Sequence, residues 1–152
     1  MTTTVSSIEE LQKLSGQHLG WSQWHVIDQE QVNLFADATG DHQWIHVDPE
    51  RAASGPFGAT IAHGYLTLSI IPSILHEVVR VEGFKFGVNY GCNKVRFPAP
   101  VMVGSKMRLG AAVVSVENVG EDGVQAVLDL TIDTEGSSKP SCVAQVVYRY
   151  YW

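Results

Sequence analysis

Two residues that could carry proton chemistry lie five positions apart, directly after a glycine. Asp41 follows Gly40, and His46 ends the same short segment. Imidazole titrates near neutral pH and burial can tune a neighbouring carboxylate, so the pair suits proton transfer to and from water. The spacing equally fits a structural role, in which Asp41 makes a turn and His46 is a hydrogen-bonded core residue. The pair is therefore an acid–base candidate that needs support from elsewhere in the chain.

Helix signals on both sides place this pair on a loop. Asp28 predicts the start of one helix and Gly40 predicts its end. Asp48 followed by Pro49 predicts the N-cap and first residue of a short helix that runs to Ala53. The segment that carries Asp41 and His46 is therefore expected between two helices.

A second candidate feature is the dipeptide His63-Gly64, near the start of an apolar run. From Thr60 to Val79 apolar residues fall on almost every face, which predicts a buried helix that Pro72 kinks. A glycine near a helix start lets a ligand approach the backbone, and its amide can donate to an oxygen that gains negative charge. Close packing of the helix on a sheet would require the same glycine.

The second half of the chain has the pattern of strands with one buried face. Apolar and polar residues alternate over residues 86–97, 106–117, 124–133 and 142–150, with turn-rich segments between them. Strands joined by short loops are antiparallel neighbours, and a helix that is apolar all round needs a sheet curled around it. The expected class is α+β, with one domain over residues 1–152.

Composition argues against several partners. The net charge is −6 and only ten Lys and Arg are scattered along the chain, so no nucleic-acid partner is expected. Charged and polar residues interrupt the apolar run, so no membrane span is expected, and the first 20 residues lack a signal-peptide pattern, which predicts a cytoplasmic location. Cys92 and Cys142 lie in apolar strand-like runs and are expected to be reduced and buried.

The segments around these candidates resemble a known family. They are FADATGDHQWIH at residues 35–46, then VDPERA, AHGYLTLS, and VRFPAPVMVGSKMRL at residues 95–109. They are similar to the MaoC-like dehydratases, which include the (R)-specific enoyl-CoA hydratases, and especially to their nodulation-protein-N-like branch. The resemblance covers nearly the whole chain. The hydratase motif is matched at Gly40, Asp41, Ile45 and His46, whereas Gln43 and Trp44 replace its usual Asn and Pro, which bears on substrate choice more than on reaction type.

The resemblance implies a fold and an assembly. The fold is a single MaoC-like hot dog domain, in which a curved antiparallel sheet wraps around a long central helix that starts at Gly64. Such proteins are similar in forming homodimers whose active site lies near the subunit interface. A homodimer is therefore expected here.

The resemblance also implies an enzyme, a carbon–oxygen lyase. It would interconvert a trans-2-enoyl-CoA and a (3R)-3-hydroxyacyl-CoA by adding water to, or removing it from, the 2,3 double bond. Asp41 and His46 would be catalytic, the amide of Gly64 would hold the thioester oxygen, and His63 and Trp44 would contact the substrate. The expected partner is an acyl-CoA or an acyl carrier protein thioester. No separate cofactor is expected, because the substrate carries the CoA.

Two other activities stay open at this point, and a third is disfavoured. A thioesterase on the same fold would use the same thioester pocket, with a carboxylate-activated water that attacks the carbonyl carbon. A non-catalytic module would bind an acyl thioester or a lipid signal without turnover. A metal hydrolase could use His42 and His46 with Asp41 and Asp48. Two ligands four residues apart face the same side only on a helix, and Gly40, Trp44 and Pro49 predict a loop here, so no metal is expected.

Overall fold

A computed structural model describes residues 2–152 as eight strands and six helices. The strands are β1 (Thr3–Val5), β2 (His18–Trp21), β3 (His25–Val26), β4 (Val79–Val81), β5 (Phe86–Arg96), β6 (Lys106–Val119), β7 (Gly123–Thr134) and β8 (Cys142–Tyr151). The helices are α1 (Ile8–Gln12), α2 (Gln29–Thr39), α3 (Trp44–Val47), α4 (Pro49–Ala53), α5 (Gly64–Ser69) and α6 (Ile71–Leu75). No helix within residues 2–152 is both long and apolar enough to cross a membrane.

The main sheet is antiparallel and has the strand order β2-β6-β7-β8-β5, with β3 paired to the start of β6. Its inner face is fully apolar at the centre, where Leu109, Leu130 and Ile132 are buried. The four long strands predicted from the two-residue period are confirmed. The short strands β1 and β4, which form a separate parallel pair, and the strands β2 and β3 were not predicted.

The apolar run forms the helical layer on the inner face of this sheet. Leu66 of α5 and Ile71 and Ile74 of α6 belong to the same core as the sheet. This arrangement confirms the α+β class and the hot dog architecture, with the central helix starting at Gly64 as expected. Burial of the apolar helix side chains against the sheet stabilises this arrangement.

The predicted bounds of that helix were too wide, and it is divided in two. Residues 60–63 are extended, with Ile61 bridged to Met102, and α6 ends at Leu75. The helical segments meet at Ile70, just before Pro72. Proline lacks an N–H and its ring clashes with the carbonyl four residues earlier, so it interrupts a helix here as the kink prediction requires.

Strand β5 lies at the edge of the sheet and is exposed along nearly all its length. Cys92 on this strand is exposed, so the prediction that both cysteines are buried is wrong for Cys92 and confirmed for Cys142. The inner face of β8 is covered by α5, whereas β5 extends beyond this helical cover. Alternation in the sequence does not tell an edge strand from a central one.

Candidate active site

Local capping fixes where the loop of Asp41 begins. Helix α2 starts with the carboxylate of Asp28 accepting the Gln31 amide at 2.8 Å, and it ends at Gly40, whose φ of 79° is left-handed. A residue with a side chain rarely adopts that conformation, so glycine is required for this stop. Asp41 follows as an exposed residue. Both helix bounds agree with the prediction.

His46 lies on the short helix α3 and is 7% exposed, so the prediction of a loop position holds for Asp41 and is wrong for His46. Its Nδ1 lies 2.7 Å from the carbonyl oxygen of Ile61. A carbonyl only accepts, so Nδ1 carries the proton and donates it, and Nε2 of the neutral ring is left with a lone pair. The amide of Gln29 also donates to the His46 carbonyl at 2.7 Å, which ties α3 to the start of α2.

His63 completes a group of three side chains. Its ring stacks on that of His46 with centroids 3.8 Å apart and planes inclined by 24°. Its Nε2 lies 2.9 Å from the backbone oxygen of Asp41. A carboxylate oxygen of Asp41 and one ring nitrogen from each histidine lie within 4.8 Å of one another. The fold therefore brings together three of the predicted site residues, which are 5 and 17 positions apart in the sequence.

The surroundings of His46 favour its neutral form. Burial is the largest cause that lowers the pKa of His46 below its ordinary value, and the neighbouring ring of His63 lowers it further. The carbonyl of Ile61 and the charge of Asp41 oppose this shift without reversing it. At neutral pH the ring therefore offers an unprotonated Nε2 that can accept a proton from water.

The same three side chains are of the types that bind metal ions. Their three ligand atoms, within 4.8 Å of one another, are one carboxylate and two imidazoles. Because the rings of His46 and His63 are stacked, their in-plane lone pairs run side by side and do not converge on one ion. The set with His42 and Asp48 does not form, since His42 pairs with Asp37 at 2.8 Å and Asp48 caps α4. The arrangement fits proton transfer better than metal binding.

Gly64 is the first residue of α5 and borders a cavity of about 250 Å³. A Cβ at this position would lie 2.9 Å from Cδ2 of Phe97. The glycine therefore also permits close packing, which is the structural role that the sequence left open for it. Trp44 lies apart from this cavity. The guanidinium of Arg51 lies 4.4 Å from its ring centroid, and the ring lies directly over Gly55.

Two contributors to the site were missed. The carbonyl of Ile61 sets the tautomer of His46, and Gln29 bridges the His46 backbone to Thr60, whose hydroxyl donates to Oε1 of Gln29 at 2.6 Å. A backbone carbonyl leaves no trace in residue type, so Ile61 could not have been found. Gln29 had one weak signal, because it stands four residues before Asn33 on one helix face and bonds to it.

Comparison with known proteins decides the family. The model of the family described as MaoC-like domain matches residues 10–134. The chain belongs to the MaoC-like family. Among its MaoC-like relatives is 3-hydroxyacyl-thioester dehydratase Z of Mycobacterium tuberculosis, 56% identical over 97% of each chain. Nodulation protein N of Rhizobium leguminosarum bv. viciae is 39% identical over 91% of this chain and 87% of its own.

A solved structure shows the same fold. The (R)-hydratase from A. caviae involved in PHA biosynthesis superimposes with a TM-score of 0.69 at 24% identity, over 88% of this chain and 96% of that one. The resemblance to the MaoC-like dehydratases and to their nodulation-protein-N-like branch, predicted from the motif residues, is confirmed.

Proposed function

We propose that this MaoC-like protein is a hydro-lyase that adds water to, or removes it from, the 2,3 double bond of an acyl thioester. The observation that carries the proposal is the acid–base pair of Asp41 and His46, whose side chains face each other across at most 4.8 Å. The name of the M. tuberculosis relative, a 3-hydroxyacyl-thioester dehydratase that matches the chain over nearly its whole length, supports the same reaction.

The spacing of the pair suits one shared water molecule. Asp41 and His46 make no direct hydrogen bond among the described residues, yet their polar atoms lie within 4.8 Å. Two hydrogen bonds of about 2.8 Å from one water span roughly 4.5 Å. Both partners then accept from this water, the carboxylate with an oxygen and His46 with Nε2. A water held in this way is oriented and ready to lose a proton.

The reaction balances with these groups. The water oxygen attacks C3 of the enoyl thioester while a member of the pair takes one water proton. The π electrons move toward the thioester carbonyl, whose oxygen becomes negative, and the amide of Gly64 donates to it. The proton held by the pair then forms the C–H bond at C2, which restores the carbonyl. Both side chains have a polar atom within reach of the same water, so the carbon-bound proton is assigned to the pair and not to one residue.

An apolar cavity offers room for the acyl chain. It has a volume of about 280 Å³ and lies between α5–α6 and the strands β5 and β8, with Leu68, Pro72 and Tyr148 in its wall. Leu68 lies about 6 Å along α5 from Gly64 at 1.5 Å per helical residue, and Pro72 lies beyond it on α6. The acyl tail would therefore run along this helix, and Trp44, which packs on α4, would act only at the edge of the substrate site.

Two unpaired cations could receive the phosphates of CoA. Lys94 and Arg96 lie on β5 and make no ion pair among the described residues. Two other basic residues of this part of the chain are neutralised, since Lys106 pairs with Glu135 and Arg108 with Asp133. Arg96 directly precedes Phe97, which contacts Gly64. We therefore favour a CoA thioester over an acyl carrier protein, with no further cofactor.

A homodimer through β5 would complete the sheet and the site. This strand has a free edge, and its Phe86, Val88 and Tyr90 side chains are exposed. An open edge with large apolar side chains invites pairing with a second chain. Such pairing would also cover the open side of the acyl cavity, which Cys92 and Asn89 of β5 line.

The test is to incubate the purified protein with crotonyl-CoA and follow the loss of the conjugated enoyl absorbance. Wild type should turn over, and Asp41→Ala and His46→Ala should each lose at least a hundredfold in kcat. Release of free CoA thiol instead would indicate a thioesterase. Binding of crotonyl-CoA without any reaction would indicate the non-catalytic module and would refute the proposal.

A further inference from the structure

His63 contacts both members of the acid–base pair while lying almost completely inside the protein. The residue is 3% exposed. Its ring stacks on His46 at 3.8 Å, and on another side it meets the ring of Phe35 at 4.9 Å. Its Nε2 donates to the backbone oxygen of Asp41 at 2.9 Å. One buried ring therefore joins the core to the loop that carries the carboxylate.

Neither nitrogen of His63 is available to a substrate. Nε2 carries the proton and donates it in a hydrogen bond to the Asp41 carbonyl oxygen, because a carbonyl can only accept. Nδ1 is buried and has no hydrogen-bond partner among residues 2–152. This placement argues against the substrate contact expected for His63 from the sequence, and points to a role exerted through Asp41 and His46.

The loop of Asp41 needs such a support. It follows the left-handed Gly40, and Asp41 itself is exposed. Its other hydrogen bonds are long, with 3.4 Å from its amide to the Thr39 hydroxyl and 3.4 Å from its carboxylate to the Gln43 amide. The 2.9 Å bond from His63 is the shortest of the three. Loss of this bond would let the carboxylate drift relative to the His46 ring.

We propose that His63 is a positioning residue that locks the Asp41 loop onto the His46 ring through its Nε2–H bond and its face-to-face stack. The inference rests on the proposed hydro-lyase function and adds a residue that acts on the pair without touching the substrate. A displacement of about 1 Å in a catalytic group can cost roughly a hundredfold in rate, so the effect of losing the lock is measurable.

Two variants separate the bond from the stack. A glutamine amide reaches about as far as Nε2 of histidine, so His63→Gln keeps a donor for the Asp41 carbonyl and removes the ring. His63→Phe keeps an aromatic ring on His46 and removes the donor. With crotonyl-CoA we expect kcat to fall about a hundredfold in His63→Phe and less than about tenfold in His63→Gln, with KM within about threefold of wild type in both.

The matched control is His76→Phe, which replaces an exposed imidazole at the end of α6, outside the site. Its kcat and KM should equal those of wild type. If His63 bound the substrate, KM would rise in both His63 variants, and that result would overturn the proposal. Equal losses of kcat in His63→Gln and His63→Phe would also overturn it, because the donor would then have no separate effect.

A readout on wild type works even if a His63 variant fails to fold or if the proposed reaction is absent. The ¹⁵N chemical shifts of the imidazoles report which nitrogen carries the proton. We expect the Nε2–H tautomer for His63 and the Nδ1–H tautomer for His46. An Nε2 of His63 that carries no proton would refute the lock whatever the activity. The predicted tautomers in a protein that does not turn over crotonyl-CoA would support the lock and refute only the proposed function.

Discussion

Substitution of Gly64 tests whether its amide holds the thioester oxygen. A Cβ at this position would lie 2.9 Å from Cδ2 of Phe97 and 3.1 Å from two further ring carbons. Carbon atoms normally approach to about 3.5–4.0 Å, so the ring must retreat by roughly 0.6–1 Å. Phe97 is 39% exposed and can move outward. We therefore expect Gly64→Ala to lower the free energy of unfolding by about 1–2 kcal/mol, measured by urea titration.

Gly64→Pro separates the amide from this steric effect. Gly64 is the first residue of α5, where the N–H has no acceptor within the helix and proline is tolerated. Alanine and proline at position 64 both place a Cβ too close to the Phe97 ring, but only proline removes the backbone N–H. Removal of one oxyanion donor costs about 10²–10³ in kcat, so Gly64→Pro should turn over crotonyl-CoA about a hundredfold more slowly than Gly64→Ala.

Gly110→Ala is the steric control. A Cβ there would lie 2.8 Å from Cζ3 of Trp21, a similar conflict with an aromatic ring, on the face of the sheet that points away from the core. We expect a comparable loss of stability with unchanged kcat. Equal kcat for Gly64→Ala and Gly64→Pro would refute the role of the amide. A loss of kcat in Gly110→Ala as large as that in Gly64→Pro would show that general strain explains the effect.

Three further predictions concern pH, assembly and the thioester carrier. Burial lowers the pKa of His46 below its ordinary value of about 6.5. We therefore expect kcat/KM to be constant near pH 7 and to fall only below about pH 6.5, where Nε2 becomes protonated. A pH–rate profile with its midpoint above about pH 6.5 would contradict this. Below about pH 6.5 His46 binds a proton more readily in the unfolded chain than in the folded one, so the free energy of unfolding should also fall. This fall should be smaller in His46→Gln, which lacks the imidazole. Wild type should be a dimer by light scattering and Val88→Asp, on the exposed edge strand, a monomer; an unchanged mass would place the interface elsewhere. Arg96→Ala should raise KM for crotonyl-CoA severalfold but leave KM for crotonyl-N-acetylcysteamine, which lacks phosphates, unchanged; equal effects on both would remove the phosphate contact.

The features that the sequence predicted well depend on local contacts. Asp28 and Asp48 each accept an amide three residues later, and Gly40 adopts the left-handed conformation that ends α2. These interactions need no partner from elsewhere in the chain, so residue type and spacing are sufficient to predict them. The end of α2 and the start of α4 were therefore predicted correctly, whereas the short helix α3 between them, which carries His46, was predicted as loop.

The features that were missed depend on distant segments. The tautomer of His46 is set by the carbonyl of Ile61, 15 residues away, and the stack with His63 joins residues 17 apart. The exposure of Cys92 depends on the position of β5 at the sheet edge, which strand alternation does not encode. The sequence could identify Asp41, His46, Gly64 and His63 as candidate site residues. Only the fold shows that Asp41 is exposed while His46 and His63 are buried.

The central claim is that Asp41 and His46 act as one unit on one water molecule. The most direct test measures kcat for hydration of crotonyl-CoA in wild type, Asp41→Asn, His46→Gln and the double variant. Groups that share one water should be strongly non-additive, so the double variant should be about as slow as the slower single variant. If the losses of the two single variants multiply in the double variant, Asp41 and His46 act independently and the shared-water mechanism is wrong.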